Sequence, residues 1–239
     1  MATLTLVRHG QASFLSDNYD RLSELGEEQA RLLGDYFARH QTRFTRVLAG
    51  PLQRQMRTAE IVYGKVTGAG IEWPEPEEMP DLEEYHAEAF LKTYLPELIH
   101  REESIRDLHE RFKKSDDLHD KGRAYQKMFE AAVRLWIRGG IQTEGIETLD
   151  LFLNRIEGVL TLLRESDRRG EQVIAFTSGG VTGAAVALAT GADMEKTIEL
   201  TWMVRNTGLT EFLYSRDRLT LSAFNRIPHL DDPRLWTYR

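Results

Sequence analysis

Thr3-Leu4-Thr5-Leu6-Val7-Arg8-His9-Gly10-Gln11-Ala12 is the stretch that decides the fold. Leu4, Leu6 and Val7 combine alternation with continuity, the pattern of a strand buried inside a sheet. The apolar run stops at a cation, an imidazole and a glycine. In an open α/β sheet that position is the carboxyl end of a strand, where ligands bind. Arg8 offers a planar fork of donors suited to phosphate or carboxylate, and Gly10 lets the backbone approach closely. His9 is the one side chain here able to attack at neutral pH, because a neutral imidazole is a ready nucleophile. A surface turn that happens to carry Arg and His fits this tripeptide as well.

Outward from that turn, residues 11–21 are polar and read as loop. Ser23 is a plausible N-cap, with Glu24, Glu27 and Glu28 well placed against the helix dipole. Leu25, Leu32, Leu33, Tyr36 and Phe37 form one stripe, so residues 23–40 read as an amphipathic helix. A short strand over 46–49 follows, and Gly50-Pro51 opens a second helix, with Pro at its first position. Arg54 lies in the first turns of that helix, where an anion is already favoured. Arg57, three residues on, shares its side. Both strand–turn–helix units therefore place cations just beyond a strand end, although arginines on helices are commonly only solvated.

Residues 72–88 are rich in Glu and Pro and read as loop, leading to Asp81-Leu82-Glu83-Glu84-Tyr85-His86. Residues 89–138 are helical in pattern, dense in both charges and broken by Pro96. They belong to an insertion, 85–145, expected to form a helical cap over the sheet edge within a single domain, 1–239. His100, His109 and His119, with Asp116, Asp117 and Asp120, fit no metal motif, since His109-Glu110 lacks a second histidine at zincin spacing. Regular structure returns with a helical stripe over 148–167 and a strand over 172–177, ending in Ser178-Gly179-Gly180. Residues 181–189 are apolar almost all round and read as a buried helix. Two β-like segments, 209–214 and 219–224, close the sheet. The order predicts an α/β fold, a three-layer α/β/α domain with a mainly parallel sheet.

The 239 residues suit such a domain, and 41% hydrophobic content is enough for its core. A formal net charge of −7 argues against nucleic-acid binding, so any anion site must be built from local Arg and His. There are no cysteines, which excludes disulfides and Cys-based zinc sites. No apolar run is long enough to span a bilayer, and residues 1–10 lack the character of a signal peptide. The expected setting is cytoplasmic, with no membrane partner; the sequence leaves oligomeric state open.

With these pieces placed, the chain resembles the histidine phosphatase superfamily, the phosphoglycerate mutase-like fold. Leu6-Val7-Arg8-His9-Gly10 resembles its opening motif, and Leu22-Ser23-x-x-Gly26-x-x-Gln29-Ala30 its first helix. Gly50-Pro51-Leu52-Gln53-Arg54-x-x-x-Thr58-Ala59 is similar to the family's Ser-Pro-Leu-x-Arg-Ala-x-x-Thr-Ala, with Gly50 and Gln55 as departures. Leu82-Glu83-Glu84 resembles the Leu-x-Glu that supplies a proton donor, which points to Glu84. Asn206-Thr207 resembles the Asn-x-Ser/Thr region near the last strands. Where the family has His-Gly-Gly, this chain has Ser178-Gly179-Gly180.

The resemblance implies a metal-independent phosphatase acting on a small phosphorylated substrate through a phosphohistidine on His9. Arg8 and Arg54 would clamp the phosphoryl oxygens, Glu84 would protonate the leaving oxygen, and Ser178, Gly179 and Asn206 would complete the phosphate site. No cofactor is implied. Ser178 keeps a donor but loses a possible charge, so weakened activity is expected, with Arg57 or His86 as candidate replacement cations. The alternative is a pseudoenzyme that binds a phosphorylated ligand or protein partner without turnover. A hydrolase nucleophile elbow at Ser178 fits poorly, because Phe176 stands where that motif needs Gly. A true mutase also fits poorly, because it must protect its phosphohistidine from water.

Overall fold

A computed structural model describes residues 1–13, 20–137, 141, 145–166 and 170–238. Residues 14–19 of the expected loop, 138–140 and 142–144 of the expected insertion, and 167 at the end of the late helix lie outside the described residues. In chain order the main elements are β1 (Ala2–Arg8), α1 (Glu24–Arg39), β2 (Arg46–Ala49), α2 (Gln53–Gly68), β3 (Glu77–Glu78), α3 (Ala87–Arg101), α4 (Glu103–Lys114) and α5 (Leu118–Ile137). Then come α6 (Leu149–Ser166), β4 (Gln172–Thr177), α7 (Gly179–Thr190), α8 (Met194–Met203), β5 (Leu209–Ser215) and β6 (Arg218–Arg226). They divide into two compact units, Met1–Glu84 with Leu153–Arg239, and Tyr85–Phe152.

The first unit holds one six-stranded sheet in the order β3-β2-β4-β1-β5-β6. The pairs β3–β2, β2–β4 and β4–β1 are parallel, whereas β5 and β6 join antiparallel. The period of two sorts side chains between its faces. Val7, Val47, Ala49, Ile174 and Phe176 share one core cluster with Leu33 and Phe37 of α1 and Ala59 and Val62 of α2. Leu4, Leu6, Leu48 and Ala175 point the other way, meeting Ile156 and Leu160 of α6 and Val181 and Ala185 of α7. The strands read as near-continuous apolar runs because both faces are covered. This is the expected α/β/α arrangement.

Two features of that arrangement build a site. In register, Arg8 of β1 stands opposite Thr177 of β4, and Ala49 of β2 opposite Phe176, so three parallel strands end side by side. The chain then leaves β1 toward the α1–α2 face and leaves β4 toward the α7 face. Such a reversal opens a crevice at the strand ends.

Several local expectations are corrected. Pro51 precedes the second helix, which starts at Gln53, because Asp20 Oδ2 accepts the Gln53 N–H at 2.9 Å and Gln55 Oε1 accepts that of Leu52 at 3.1 Å. Side chains satisfy the first donors, so the proline is not needed there. The buried helix after β4 begins at Gly179, so both glycines belong to its first turn. β3 and a short 3-10 turn, Pro80–Leu82, interrupt the expected loop over 72–88. α8 was not foreseen; its Asp193 cap accepts from Lys196 N.

In the second unit α3 runs through Pro96, where a break was expected. The aromatic stripe keeps it in place: Phe90 stacks on Trp136 of α5 at 5.2 Å, and Trp136 in turn lies 6.3 Å from Tyr85. Phe90, Leu98, Ile105 and Met128 are buried in this unit.

Candidate active site

His9 follows β1 directly and continues its ladder, its N–H donating to Thr177 O at 2.8 Å. Only 3% of it is exposed. The ring's Nδ1 lies 2.7 Å from Gly10 O, which can only accept, so Nδ1 carries the proton and Nε2 the lone pair. Arg54 Nε donates to that lone pair at 3.2 Å. Burial, then the charges of Arg54 and Arg8, hold the imidazole well below its ordinary pKa of 6.5. At neutral pH His9 is therefore an uncharged imidazole with one aimed lone pair.

The turn that presents it is braced from all sides. Gly10 N donates to Thr58 Oγ1 of α2 at 3.0 Å, and Thr58 donates onward to Arg54 O. A Cβ on Gly26 would come within 2.1 Å of Gln11 O, so this loop and the first turn of α1 meet backbone to backbone. Gln29, fully buried on α1, accepts from Gln11 N at 2.9 Å and donates to Leu235 O and Thr237 Oγ1 of the C-terminal tail. Asn206 donates from Nδ2 to His9 O at 3.0 Å, and its Oδ1 accepts from Thr237 Oγ1 at 2.8 Å. Expected at the phosphate, Asn206 thus holds the backbone of His9.

Arg54 is buried on α2 and pairs through Nη1 with Asp20 at 2.7 Å. Arg8 donates from Nη1 to Val204 O, and its guanidinium lies against Gly179, where an added Cβ would stand 3.5 Å from Arg8 Cζ. Glu84 accepts from Gly180 N at 3.1 Å, at the start of α7. Arg155 of α6 fixes the approach to Glu84, donating to Asp81 O at 2.7 Å and Glu83 O at 3.0 Å. Ser178 is fully buried between Thr177 and this helix start, and its Oγ accepts from Gln55 Nε2 at 2.8 Å. His9, Arg8, Arg54, Glu84, Ser178 and Gly179 are thus gathered at the ends of β1 and β4.

Of the two candidate replacement cations, Arg57 is half exposed and engaged by carboxylates, donating to Glu27 and Glu60. His86 is exposed and precedes α3 in the other unit. Asp20, Arg155, Gln55, Gln29 and Thr58 escaped the sequence reading as site-builders. Gln29 and Thr58 carried a signal, as polar residues on otherwise apolar helix faces; Asp20, in a polar loop, carried none. Among the described residues no group of three or more His, Asp or Glu could hold a metal ion. No helix among them is long and apolar enough to cross a membrane.

The family model for the histidine phosphatase superfamily (branch 1) matches residues 4–136 and 119–227. This chain belongs to that superfamily. No curated protein matches it in sequence. Among solved structures, phosphoglycerate mutase from Bacillus anthracis superposes with a TM-score of 0.64 at 18% identity, over 95% of this chain and 94% of the other. Alpha-ribazole phosphatase from Shigella flexneri gives 0.62 at 19%, over 94% and 96%. Phosphoserine phosphatase from Entamoeba histolytica, solved with phosphoserine, gives 0.61 at 18%, over 96% and 100%. At these identities the likeness is one of fold.

Proposed function

We propose that this chain hydrolyses a small phosphomonoester through a phosphohistidine on His9, without a metal. The observation that carries the reading is the state of His9: buried, neutral, its Nδ1–H held by Gly10 O and its Nε2 lone pair aimed at Arg54. The structural neighbours, by name, include proteins acting on phosphorylated small molecules, which favours that substrate class.

His9 Nε2 attacks phosphorus in line. The N–P bond forms as the ester P–O bond breaks, and Glu84 gives a proton to the departing oxygen. Arg54 must first leave the lone pair, and its Nε–H then serves a phosphoryl oxygen. Arg8 and Arg54 neutralise the transferring group, and the start of α7 adds backbone donors. Throughout, Nδ1–H stays on Gly10 O, which supports the positive charge of the phosphorylated ring. Water then attacks phosphorus from the side the alcohol left and yields its proton to Glu84. The N–P bond breaks and inorganic phosphate departs.

A binding-only protein is the second reading, favoured by the Asp20 carboxylate seated on Arg54 and by serine at position 178. A phosphoester panel on the purified chain with a metal chelator present separates the two. Chelator-resistant turnover supports the phosphatase; phosphate binding with no turnover on any ester supports the binder.

A further inference from the structure

Gly50 and Gln55, which flank the start of α2, and Ser178, distant in sequence, meet in the fold. A Cβ on Gly50 would fall 2.1 Å from Gln55 Oε1 and 2.8 Å from Leu82 O, so only glycine there leaves room for the Gln55 side chain. Gln55 is fully buried. Its orientation is fixed by its partners: Oε1 must face the Leu52 N–H at 3.1 Å, and Nε2 must face Leu82 O at 3.0 Å. The second hydrogen of Nε2 goes to Ser178 Oγ at 2.8 Å.

That contact settles what the serine can do. An amide nitrogen is a donor only, so the Ser178 proton cannot return to Gln55. Ser178 occupies the N-cap of α7, where a serine oxygen commonly accepts from its own helix, yet here it makes no such bond. Among the described residues its hydroxyl proton has no acceptor, and none of the residue is exposed. A buried donor left without an acceptor is destabilising. Its neighbours are Thr177, in register with Arg8, and Gly179, against the Arg8 guanidinium.

We infer that Gln55 is a positioning residue: seated by Gly50 and Leu82, it fixes the Ser178 hydroxyl, buried until substrate opens the strand ends, as a donor to the phosphoryl oxygens bound at Arg8. The inference rests on the phosphate-site reading above and deepens it. The Gln55–Ser178 pair is uncharged and does not titrate, so this wall of the site binds oxygen through a dipole and adds no positive field.

Calorimetric titration of the full chain with inorganic phosphate tests this, using Gln55→Met, Ser178→Ala and both together. Losing a donor to a charged group should weaken phosphate by roughly 10- to 100-fold in Ser178→Ala. Gln55→Met keeps the volume but frees the hydroxyl to rotate, and should lose part of that factor. The decisive result is the double variant: it should bind no more weakly than Ser178→Ala alone, because Gln55 acts only through the serine. A merely structural glutamine would cost affinity in both backgrounds, and that additivity would overturn the inference while leaving the phosphatase reading intact. An unchanged affinity in Gln55→Met would do the same. If Ser178→Ala does not fold, Ser178→Cys, a much weaker donor, takes its place in the cycle. Coupling between the two sites with no turnover on any ester would instead sink the phosphatase reading and keep the positioning role. A wild type that binds no phosphate overturns both.

Discussion

The ends of β1 and β4 lie side by side, Arg8 opposite Thr177, and they carry opposite chemistry. Beyond β1 stand Arg8 and His9, with Arg54 reaching across from α2. Beyond β4 stand Ser178, Gly179 and Gly180, which offer only dipoles. In the proposed mechanism the difference matters because charge acts on the nucleophile as well as on the substrate. Arg54 and Arg8 already depress the pKa of His9, adding to the effect of burial. A further cation would grip phosphate harder but would also draw down the basicity of the ring that must attack it. A neutral wall binds phosphoryl oxygens without that penalty.

The largest effect belongs to the charged wall. His9→Ala should lower phosphomonoester turnover by about 10⁴-fold or more, since nothing else there can carry the phosphoryl group. Next, Arg54→Lys should lose roughly 10²–10³ in kcat/KM, because a point charge cannot serve His9, Asp20 and the phosphoryl oxygens in a fixed fork. Ser178→Ala, on the neutral wall, should cost less than Arg54→Lys in the same assay. Equal losses would break the distinction between the walls.

Converting the neutral wall sharpens the comparison. Ser178→His alone should not raise activity, because Gln55 fills the space beside Ser178 Oγ. Overpacking should lower Tm by about 2–10 °C. Joined to Gln55→Ala, which vacates that space, the same histidine should recover stability and add a titrating step to the pH–rate profile. A gain in activity from Ser178→His by itself would show that Gln55 yields easily and that the pair is not a built unit.

A smaller effect comes from behind the charged wall. Thr237→Ala removes a hydroxyl that donates to Asn206 and accepts from Gln29, both of which brace the His9 turn. Losing these two hydrogen bonds should lower kcat by roughly fivefold, with little change in KM, because Asn206 and Gln29 keep their other partners.

Acid should alter stability while leaving the rate near neutral pH untouched. His229 is buried and pushed down to about 3, and His9 is also lowered, so the unfolded chain binds protons that the folded chain refuses. Stability is therefore full above pH 6.5 and falls as pH drops below it. Thermal melts against pH should show this, and His229→Gln should flatten the decline. Activity should pass through pH 6.5 without a step, since His9 is still neutral there.

How much of this was legible in the sequence depended on whether a residue's role was local. The strand before Arg8-His9-Gly10 and the helix stripe of Leu33 and Phe37 announced themselves because periodicity is a local property. Arg8, His9 and Arg54 could be placed because each sits at a fixed offset from a strand end or helix start. The partners of Gln55 could not. It reads as one more polar residue on α2, and only the parallel pairing of β2 with β4 brings Ser178 to it. The Asn206 motif points to phosphate, because nothing in it shows that Thr237, 31 residues on, claims its carbonyl oxygen. Arg57 failed in the opposite sense: its spacing from Arg54 was right, but Glu27 on α1 and Glu60 on its own helix hold it outward.

His9 is proposed to accept the phosphoryl group, and trapping that adduct is the most direct test. The full chain is mixed with a reactive phosphoryl donor, quenched in base, digested and read by mass spectrometry. One phosphoryl group is expected on the peptide containing His9, stable in base, lost in mild acid and missing from His9→Ala. Steady turnover in which no such adduct forms, and which His9→Ala retains, would contradict that role.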